Sequence, residues 1–484
     1  MNQTPMVAPP QADKLGQATA PPSGAATGFD SLPLSAATLT NLQRLGYELM
    51  TPSQAASLPL TLAGHDLIAQ AKTGSGKTAA FALALLARLD AGRSAVQSLV
   101  LCPTRELADQ VTQEIRRLAR AEDQIKVLTL CGGVPLRPQR TSLEHGAHVV
   151  VGTPGRILDH LERGYLTLQA LNILVLDEAD RMLDMGFFDD IAKVARQCPK
   201  QRQTLLFSAT FPDGIGKLSA ALMHEPREVR LPEAHSEQKI RQRFYEVREK
   251  ERLHAVSLLL NHYRPASSLA FCNTKQRCRE LLAVLRAQGF VALELHGDLE
   301  QRERDQVLVR FANGSCSVLV ATDLAARGLD IKELEAVINV DISPDTATHR
   351  HRIGRTGRVD QTGWAFSLAS LDEMGPVGRI EQELGFSSQW HALSELKPSS
   401  DAPLRPAMAT LQILGGRKEK IRAGDVLGAL TKDLGYAATQ IGKISINEFS
   451  TYVAVRSEIA PEVLRRLSTA RIKGRSVKLR LLED

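Results

Sequence analysis

No apolar run in this 484-residue chain is long enough to span a bilayer, because a transmembrane helix needs about 20 consecutive apolar residues. The N-terminus has no basic start followed by an apolar block, which argues against a secretory signal. Cysteine is sparse: Cys102, Cys131, Cys198, Cys272, Cys278 and Cys316 form no Cys-x-x-Cys pair and no zinc spacing. Scattered thiols in a chain of this size suit a reducing, cytoplasmic setting. What remains is ordinary globular material, 43% hydrophobic and 24% charged. A chain of this length exceeds one core, so two or three domains are expected.

Charge is unevenly spread. From Leu404 onward there are 15 Lys and Arg against 8 Asp and Glu, whereas the rest of the chain holds 45 against 46. A basic tail behind a near-neutral body points to a polyanionic partner, nucleic acid above all.

Punctuation and periodicity divide the chain. Residues 1–28 are rich in Ala, Pro, Gly, Gln and Thr and read as a disordered leader. From 29 to 231, short apolar strands alternate with helical patterns, which predicts a parallel sheet covered by helices. A polar linker, 232–238, precedes a second alternating stretch over 239–386. A further linker is expected over 387–406. The order β-α-β-β-α-β over 407–484 matches the split ferredoxin-like motif.

Two segments carry chemistry. Ala71-Lys72-Thr73-Gly74-Ser75-Gly76-Lys77-Thr78 is a glycine-rich loop between a strand and a helix, the context of a phosphate cradle. Backbone N–H groups there approach phosphate oxygens, Lys77 reaches the β- and γ-phosphates, and the Thr78 hydroxyl suits Mg²⁺. Ala71 replaces the usual leading glycine. The run V-L-D-E-A-D, Val175 to Asp180, closes an apolar strand on two carboxylates. Asp177 is the expected Mg²⁺ partner and Glu178 the expected base for an attacking water. No Asn-Lys-x-Asp guanine reader is present. Gln54 can pair with adenine and Phe29 can stack on it, but as isolated residues they do not decide the base.

Ten segments then fall in order: T-P-S-Q from Thr51, the cradle from Ala71, P-T-R-E-L-A from Pro103, Gly132-Gly133, T-P-G-R from Thr153, D-E-A-D from Asp177, S-A-T from Ser208, F-C-N-T from Phe271, A-T-D-L-A-A-R-G-L-D from Ala321 and H-R-I-G-R-T-G-R from His351. Over 29–386 this series resembles that of the DEAD-box RNA helicases. The resemblance implies an α/β chain with two RecA-like parallel-sheet domains, followed here by a small C-terminal RRM-like α+β domain. It implies ATP hydrolysis coupled to local separation of RNA strands. Gln54 and Phe29 resemble the adenine contacts, Asp330 the ribose contact, and Gly328 a neighbour of the γ-phosphate. Arg355 and Arg358 resemble arginine fingers. Ser208, Thr210 and His351 resemble the link between ATP state and RNA state. Thr104, Arg105, Thr153, Gly155 and Arg156 in the first domain fall in RNA-binding motifs. So do Asn273, Arg304 and Thr322 in the second. Departures occur at Met50 and Ser53, where Pro and Ile are usual, and at His349-Arg350, where Tyr-Val is common.

The segment from Gly415, G-G-R-K-E-K-I-R-A-G-D-V-L-G-A-L, resembles the RNA-binding tail of the DbpA subgroup. That implies docking on large-subunit (23S) ribosomal RNA in pre-50S particles, with Arg417, Lys418 and Lys420 among the contacts. The third tail strand, T-Y-V-A-V, lacks the usual stacking aromatics apart from Tyr452. A monomer is expected, without membrane attachment. The residues leave three alternatives open: action on another structured RNA, a nucleotide-gated RNA clamp, and a DNA helicase.

Overall fold

The computed structural model describes residues 27–70, 75–121, 124–211, 213–230, 240–326, 334–357, 362–397 and 402–482. The chain divides into two compact units. The first is built on seven parallel strands: β1 (Leu67–Gln70), β2 (Ser98–Leu101), β3 (Val127–Leu130), β4 (Val149–Gly152), β5 (Ile173–Asp177), β6 (Gln203–Ser208) and β7 (Arg227–Arg230). Their order across the sheet is β3-β4-β2-β5-β6-β1-β7. Every residue of β2, β4 and β5 is buried. That two-sided burial is why these strands read as apolar runs in the sequence.

Alternate side chains serve opposite faces. Val100, Val151 and Val175 meet Phe81 of the helix Lys77–Ala87 and Val111 and Ile115 of the helix Arg105–Leu118. Leu99, Leu174 and Leu176 meet Ile157 of the helix Pro154–Glu162 and Ile191 and Val194 of the helix Phe188–Arg196. Truncating one such leucine to alanine costs about 2–5 kcal/mol, so the sheet holds its edge firmly in place.

The second unit opens with another parallel sheet: β8 (Ile240–Glu246), β9 (Ser268–Cys272), β10 (Ala292–Leu295), β11 (Val318–Thr322), β12 (Ala336–Asn339), β13 (Gly363–Ala369) and β14 (Trp390–His391). The order is β10-β11-β9-β12-β13-β8-β14. Strand β14 corrects the sequence reading, which placed 387–406 in a linker. Two residues show no periodicity; what fixes them is Trp390 lying 5.6 Å from Phe244, ring centre to ring centre, and Leu396 buried in the same domain's core. The leader also ends earlier than read, since Thr27 and Gly28 already pair with Met50 and Leu49. The rest of that leader and the linker 232–238 lie outside the described residues.

The unit closes on an antiparallel sheet. Its strands are β15 (Met408–Leu414), β16 (Ile441–Ile446), β17 (Thr451–Arg456) and, after a short ribbon of β18 (Arg471–Ile472) and β19 (Arg475–Ser476), β20 (Lys478–Leu481). The order is β16-β17-β15-β20. Leu411, Ile413, Val453 and Val455 turn one face to Val426 and Leu430, and to Val463 and Leu467 of the helix Ala460–Thr469. All six cysteines are buried and free. Among the described residues, no helix is long and apolar enough to cross a membrane.

Candidate functional site

Parallel strands bring their C-terminal ends to one edge, where ligands of open α/β sheets bind. In the first unit that edge gathers Thr104 and Arg105 after β2, Thr153 after β4, Asp177 and Glu178 at β5, and Ser208 and Thr210 at β6. The loop after β1 leads into the cradle. Ala71, Lys72, Thr73 and Gly74 lie outside the described residues; Ser75, Gly76, Lys77 and Thr78 are described.

The cradle is braced from the preceding helix, Pro52–Leu62. Thr51 Oγ1 donates to Ser75 O at 2.7 Å, and Gln54 Nε2 donates to Gly76 O at 3.1 Å. Gln54 Oε1 accepts from Thr51 N at 2.9 Å, closing a capping box. Gly76 has φ +83°, and a Cβ there would come within 2.5 Å of Gln54 Nε2. Only glycine fits both the turn and the brace. Gln54, expected as a base reader, therefore touches the phosphate loop directly. Phe29 is buried, edge-on to Tyr47 at 6.0 Å between ring centres.

Four charged side chains meet beneath the loop. Lys77 Nζ lies 2.9 Å from Asp177 Oδ1 and 3.9 Å from Glu178 Oε1, and Arg181 Nη1 lies 3.1 Å from Glu178 Oε2. All four are buried. Burial works against the Lys77 charge, yet Asp177 and Glu178 outweigh it and hold the ammonium above its ordinary pKa. Glu178 sits at φ +54°, an unfavourable conformation for a side chain with a Cβ. The kink turns the chain from β5 into the helix Ala179–Asp184 and sets the two carboxylates side by side. Asp177 Oδ2 and Ser75 Oγ are enclosed and meet no hydrogen-bond partner among the described residues. One buried carboxylate with a spare oxygen, beside a hydroxyl-bearing phosphate loop, fits Mg²⁺. That ion takes one or two protein ligands and completes its shell with water and phosphate.

Asp180 ties this cluster to the next strand. Its Oδ2 accepts from Thr210 N at 2.9 Å, Thr210 Oγ1 at 2.9 Å and Ala209 N at 3.2 Å. Ser208 Oγ accepts from Asp180 N at 3.3 Å. Ser208 and Thr210 were expected to couple two sites; Asp180, their partner, was given no role in the sequence reading. Further along the edge, Thr104 Oγ1 caps the helix Arg105–Leu118 by accepting from Leu107 N at 3.3 Å. Arg156 donates to Val134 O at 3.1 Å and Gln139 Oε1 at 3.2 Å. A Cβ at Gly155 would make ordinary contact, its nearest neighbour being Asp190 Oδ2 at 3.7 Å. Strand β4 is two positions from β5, roughly 10 Å, so the hydroxyl and arginine group is separate from the carboxylate group.

In the second unit Asn273 follows β9, Thr322 ends β11, and His351 lies on the helix Thr346–Ile353. Arg352 ties together the loops that follow β9, β11 and β12. Arg352 Nη2 donates to Asn273 Oδ1 at 2.7 Å and to Asp323 Oδ2 at 2.6 Å, while Nε reaches Asp323 Oδ1 at 2.7 Å. Its Nη1 donates to Asp341 O at 2.7 Å, and the guanidinium lies 5.2 Å from the centre of the Phe271 ring. No role was assigned to Arg352 from sequence, because an arginine-rich turn reads as solvated surface; its signal is the run His351-Arg352-Ile353-Gly354-Arg355. Arg304 reaches Ala325 O at 3.4 Å. Arg355 is buried, with its N–H on Arg352 O at 3.2 Å. Gly328, Asp330 and Arg358 lie outside the described residues.

The tail turns its second sheet face toward the preceding domain of the same unit. Thr410 Oγ1 accepts from Asn313 Nδ2 at 3.1 Å and lies 2.6 Å from Ser315 Oγ. On that face Tyr452 is 2% exposed, its hydroxyl accepting from Gln412 Nε2 at 3.2 Å. Arg417, Lys418 and Lys420 sit instead at the far end of β15, on exposed loop.

Comparison with known proteins agrees with this layout. Residues 51–218 match the DEAD/DEAH box helicase family, 251–360 the helicase conserved C-terminal domain, and 410–481 the DbpA RNA binding domain. The ATP-dependent RNA helicase DbpA of Escherichia coli K12 is 51% identical over 94% of this chain and 100% of its own length. The DEAD-box ATP-dependent RNA helicase CshA of Geobacillus kaustophilus is 43% identical over 74% of this chain and 76% of its own. Among solved structures, Saccharomyces cerevisiae Dbp5 bound to RNA and ADP BeF3 superimposes with a TM-score of 0.70 at 31% identity, covering 76% of this chain and 97% of that one.

Proposed function

The chain belongs to the DEAD-box ATP-dependent RNA helicases, and on that premise we propose that it is an RNA-dependent ATPase directed to large-subunit (23S) ribosomal RNA during 50S subunit assembly. The buried Lys77–Asp177 pair at 2.9 Å, set under the phosphate loop, is the observation that carries the enzymatic half. Lys77 binds the β- and γ-phosphates, exchanging one anionic partner for another. Glu178 takes the proton of the attacking water. Thr78 and Asp177 would hold Mg²⁺, which would supply charge stabilisation on the phosphate oxygens. Arg355 and Arg358 neutralise charge developing at the γ-phosphate. Phe29 and Gln54 are assigned to adenine, Asp330 to the ribose and Gly328 to the γ-phosphate.

The residues assigned to RNA are Thr104, Arg105, Thr153, Gly155 and Arg156 in one unit and Asn273, Arg304 and Thr322 in the other. Hydroxyls, amides and guanidiniums there suit phosphate and ribose contacts that ignore sequence. Asp180, through Ser208 and Thr210, and Arg352, beside His351, connect nucleotide and RNA groups within each unit. Binding of ATP and RNA together bends one strand out of A-form geometry, and hydrolysis releases it.

The ribosomal half rests on the tail. Its excess of positive charge supplies the affinity and its own fold the choice of RNA. The protein acts as a monomer in the cytoplasm. The test compares ATPase stimulation by large-subunit ribosomal RNA and by random RNA of equal length. Ribosomal RNA should stimulate far better, and removal of the chain from Leu404 onward should erase the difference. Equal stimulation of the intact chain by both RNAs would refute the assignment.

A further inference from the structure

We propose that Phe449 is the base-stacking residue of the tail, receiving an unpaired base of RNA on a ring already flanked by Lys418. The inference rests on reading the tail as an RNA-binding domain and names where that domain meets a base. From 404 to the end the sequence has three aromatic residues, Tyr436, Phe449 and Tyr452. Tyr436 is buried, and Tyr452 lies on the closed sheet face with its hydroxyl bonded to Gln412. Phe449 is 61% exposed. The stacking platform of the sheet is thus closed, and one aromatic is left to meet a ligand.

The surroundings of that ring are built rather than incidental. Phe449 sits at the tip between β16 and β17, where Asn447 N donates to Ser450 O at 2.8 Å. The loop after β15 is laced to this tip: Arg417 N donates to Asn447 O at 2.9 Å and Lys418 N to Glu448 O at 3.0 Å. Gly416 permits the approach, since a Cβ there would come within 2.3 Å of Asn447 O. Lys418 Nζ then lies 4.5 Å from the centre of the Phe449 ring, held also by Glu448 Oε1 at 3.2 Å. The turn between β18 and β19 adds Lys473, whose Nζ donates to Lys420 O at 3.0 Å and lies 3.9 Å from Asp425 Oδ2.

The strand registers explain the clustering. Ile413 pairs with Thr451 and Leu414 with Lys478, so the 415–422 loop, the 447–450 tip and the start of β20 share one end of the sheet. The Thr410 contact to Asn313 and Ser315 leaves this end outward. Arg417, Lys418, Lys420 and Lys473 outnumber the two carboxylates Glu448 and Asp425 that touch them. Such a surface attracts a phosphate backbone, and an exposed ring polarised by a cation stacks on a base regardless of its identity. Within a duplex each base is stacked on both sides, so the site takes RNA with unpaired nucleotides, a loop or a bulge.

The test uses the full chain without nucleotide. Two fluorescein-labelled RNAs serve as probes: the stem–loop that the parent chain enriches from a pool with randomised loops, and the same stem closed as a blunt duplex. Phe449→Ala should weaken stem–loop binding about tenfold, within the range of one stacked base, and leave duplex binding within about twofold. Phe449→Trp should restore the stem–loop affinity. Arg417→Glu with Lys420→Glu should weaken both probes. Loss in the charge variant with none in Phe449→Ala would overturn the stacking assignment while leaving the tail as an RNA binder. Loss in neither would overturn the reading of the tail itself.

Discussion

Arg352 grips Asp323 with two parallel hydrogen bonds, Nε to Oδ1 at 2.7 Å and Nη2 to Oδ2 at 2.6 Å, inside the second unit. The guanidinium is 1% exposed and also serves Asn273 and the Asp341 carbonyl. Three loops at the sheet edge are therefore held by one planar group.

Lysine cannot reproduce that fork. Arg352→Lys should destabilise the second unit by about 1.5–3 kcal/mol, the scale of a lost hydrogen bond to a charged group. Calorimetry should show its transition at lower temperature, and RNA-stimulated ATPase should fall with it. An unchanged transition would mean the pair is dispensable.

Thr210→Val removes the Thr210 Oγ1 donation to Asp180 and keeps the side-chain volume. A hydrogen bond to a charged acceptor contributes about 1.5–3 kcal/mol. Strand separation should drop about tenfold or more while RNA-stimulated ATP turnover stays within a few fold. Equal losses in both assays would contradict a coupling role.

Gln54→Ala deletes both the bond to Gly76 O and the capping box with Thr51. Loss of a cap costs about 1 kcal/mol, here at the residues that shape the phosphate loop. The expected result is a raised KM for ATP with RNA affinity retained in the absence of nucleotide. An unchanged KM would show that the brace does not shape the loop.

His349 is buried against Phe244, ring centres 6.4 Å apart, and burial followed by the nearby Arg352 charge lowers its pKa to about 4. The unfolded chain titrates near 6.5, so between these values the unfolded state binds the extra proton. Stability is complete above pH 6.5 and declines as pH falls toward 4, by up to about 1.4 kcal/mol per pH unit. His349→Phe should flatten that decline in urea unfolding of the second unit measured from pH 7 to pH 4.5. A slope equal to the parent's would remove His349 from the account.

Much of this architecture is visible in the chain itself. Strands such as Leu99 to Leu101 and Val318 to Ala321 are buried on both faces, so they announce themselves as apolar runs. The carboxylates of Asp177 and Glu178 stand where such a run stops, and the loop from Ala71 stands where another does. Other features leave no periodic trace. Trp390–His391 is too short to show a pattern and is positioned by Phe244. Thr410, Asn313 and Ser315 are small polar residues far apart in sequence, and nothing in their neighbours foretells a buried contact. Arg352 looks like one more charge in a basic turn until its partners on three strands are in place. Phe449 is a lone aromatic in a polar turn, and its exposure is a property of the fold.

Glu178, the residue proposed to activate water at the end of β5, is held 3.1 Å from Arg181 and 3.9 Å from Lys77. Single-turnover ATP hydrolysis by Glu178→Gln in saturating RNA measures that step by itself. The expected result is undiminished binding of ATP and RNA with hydrolysis slowed by about 10²–10⁴-fold, the contribution of a positioned base. Hydrolysis at the parent rate would rule out Glu178 as the base.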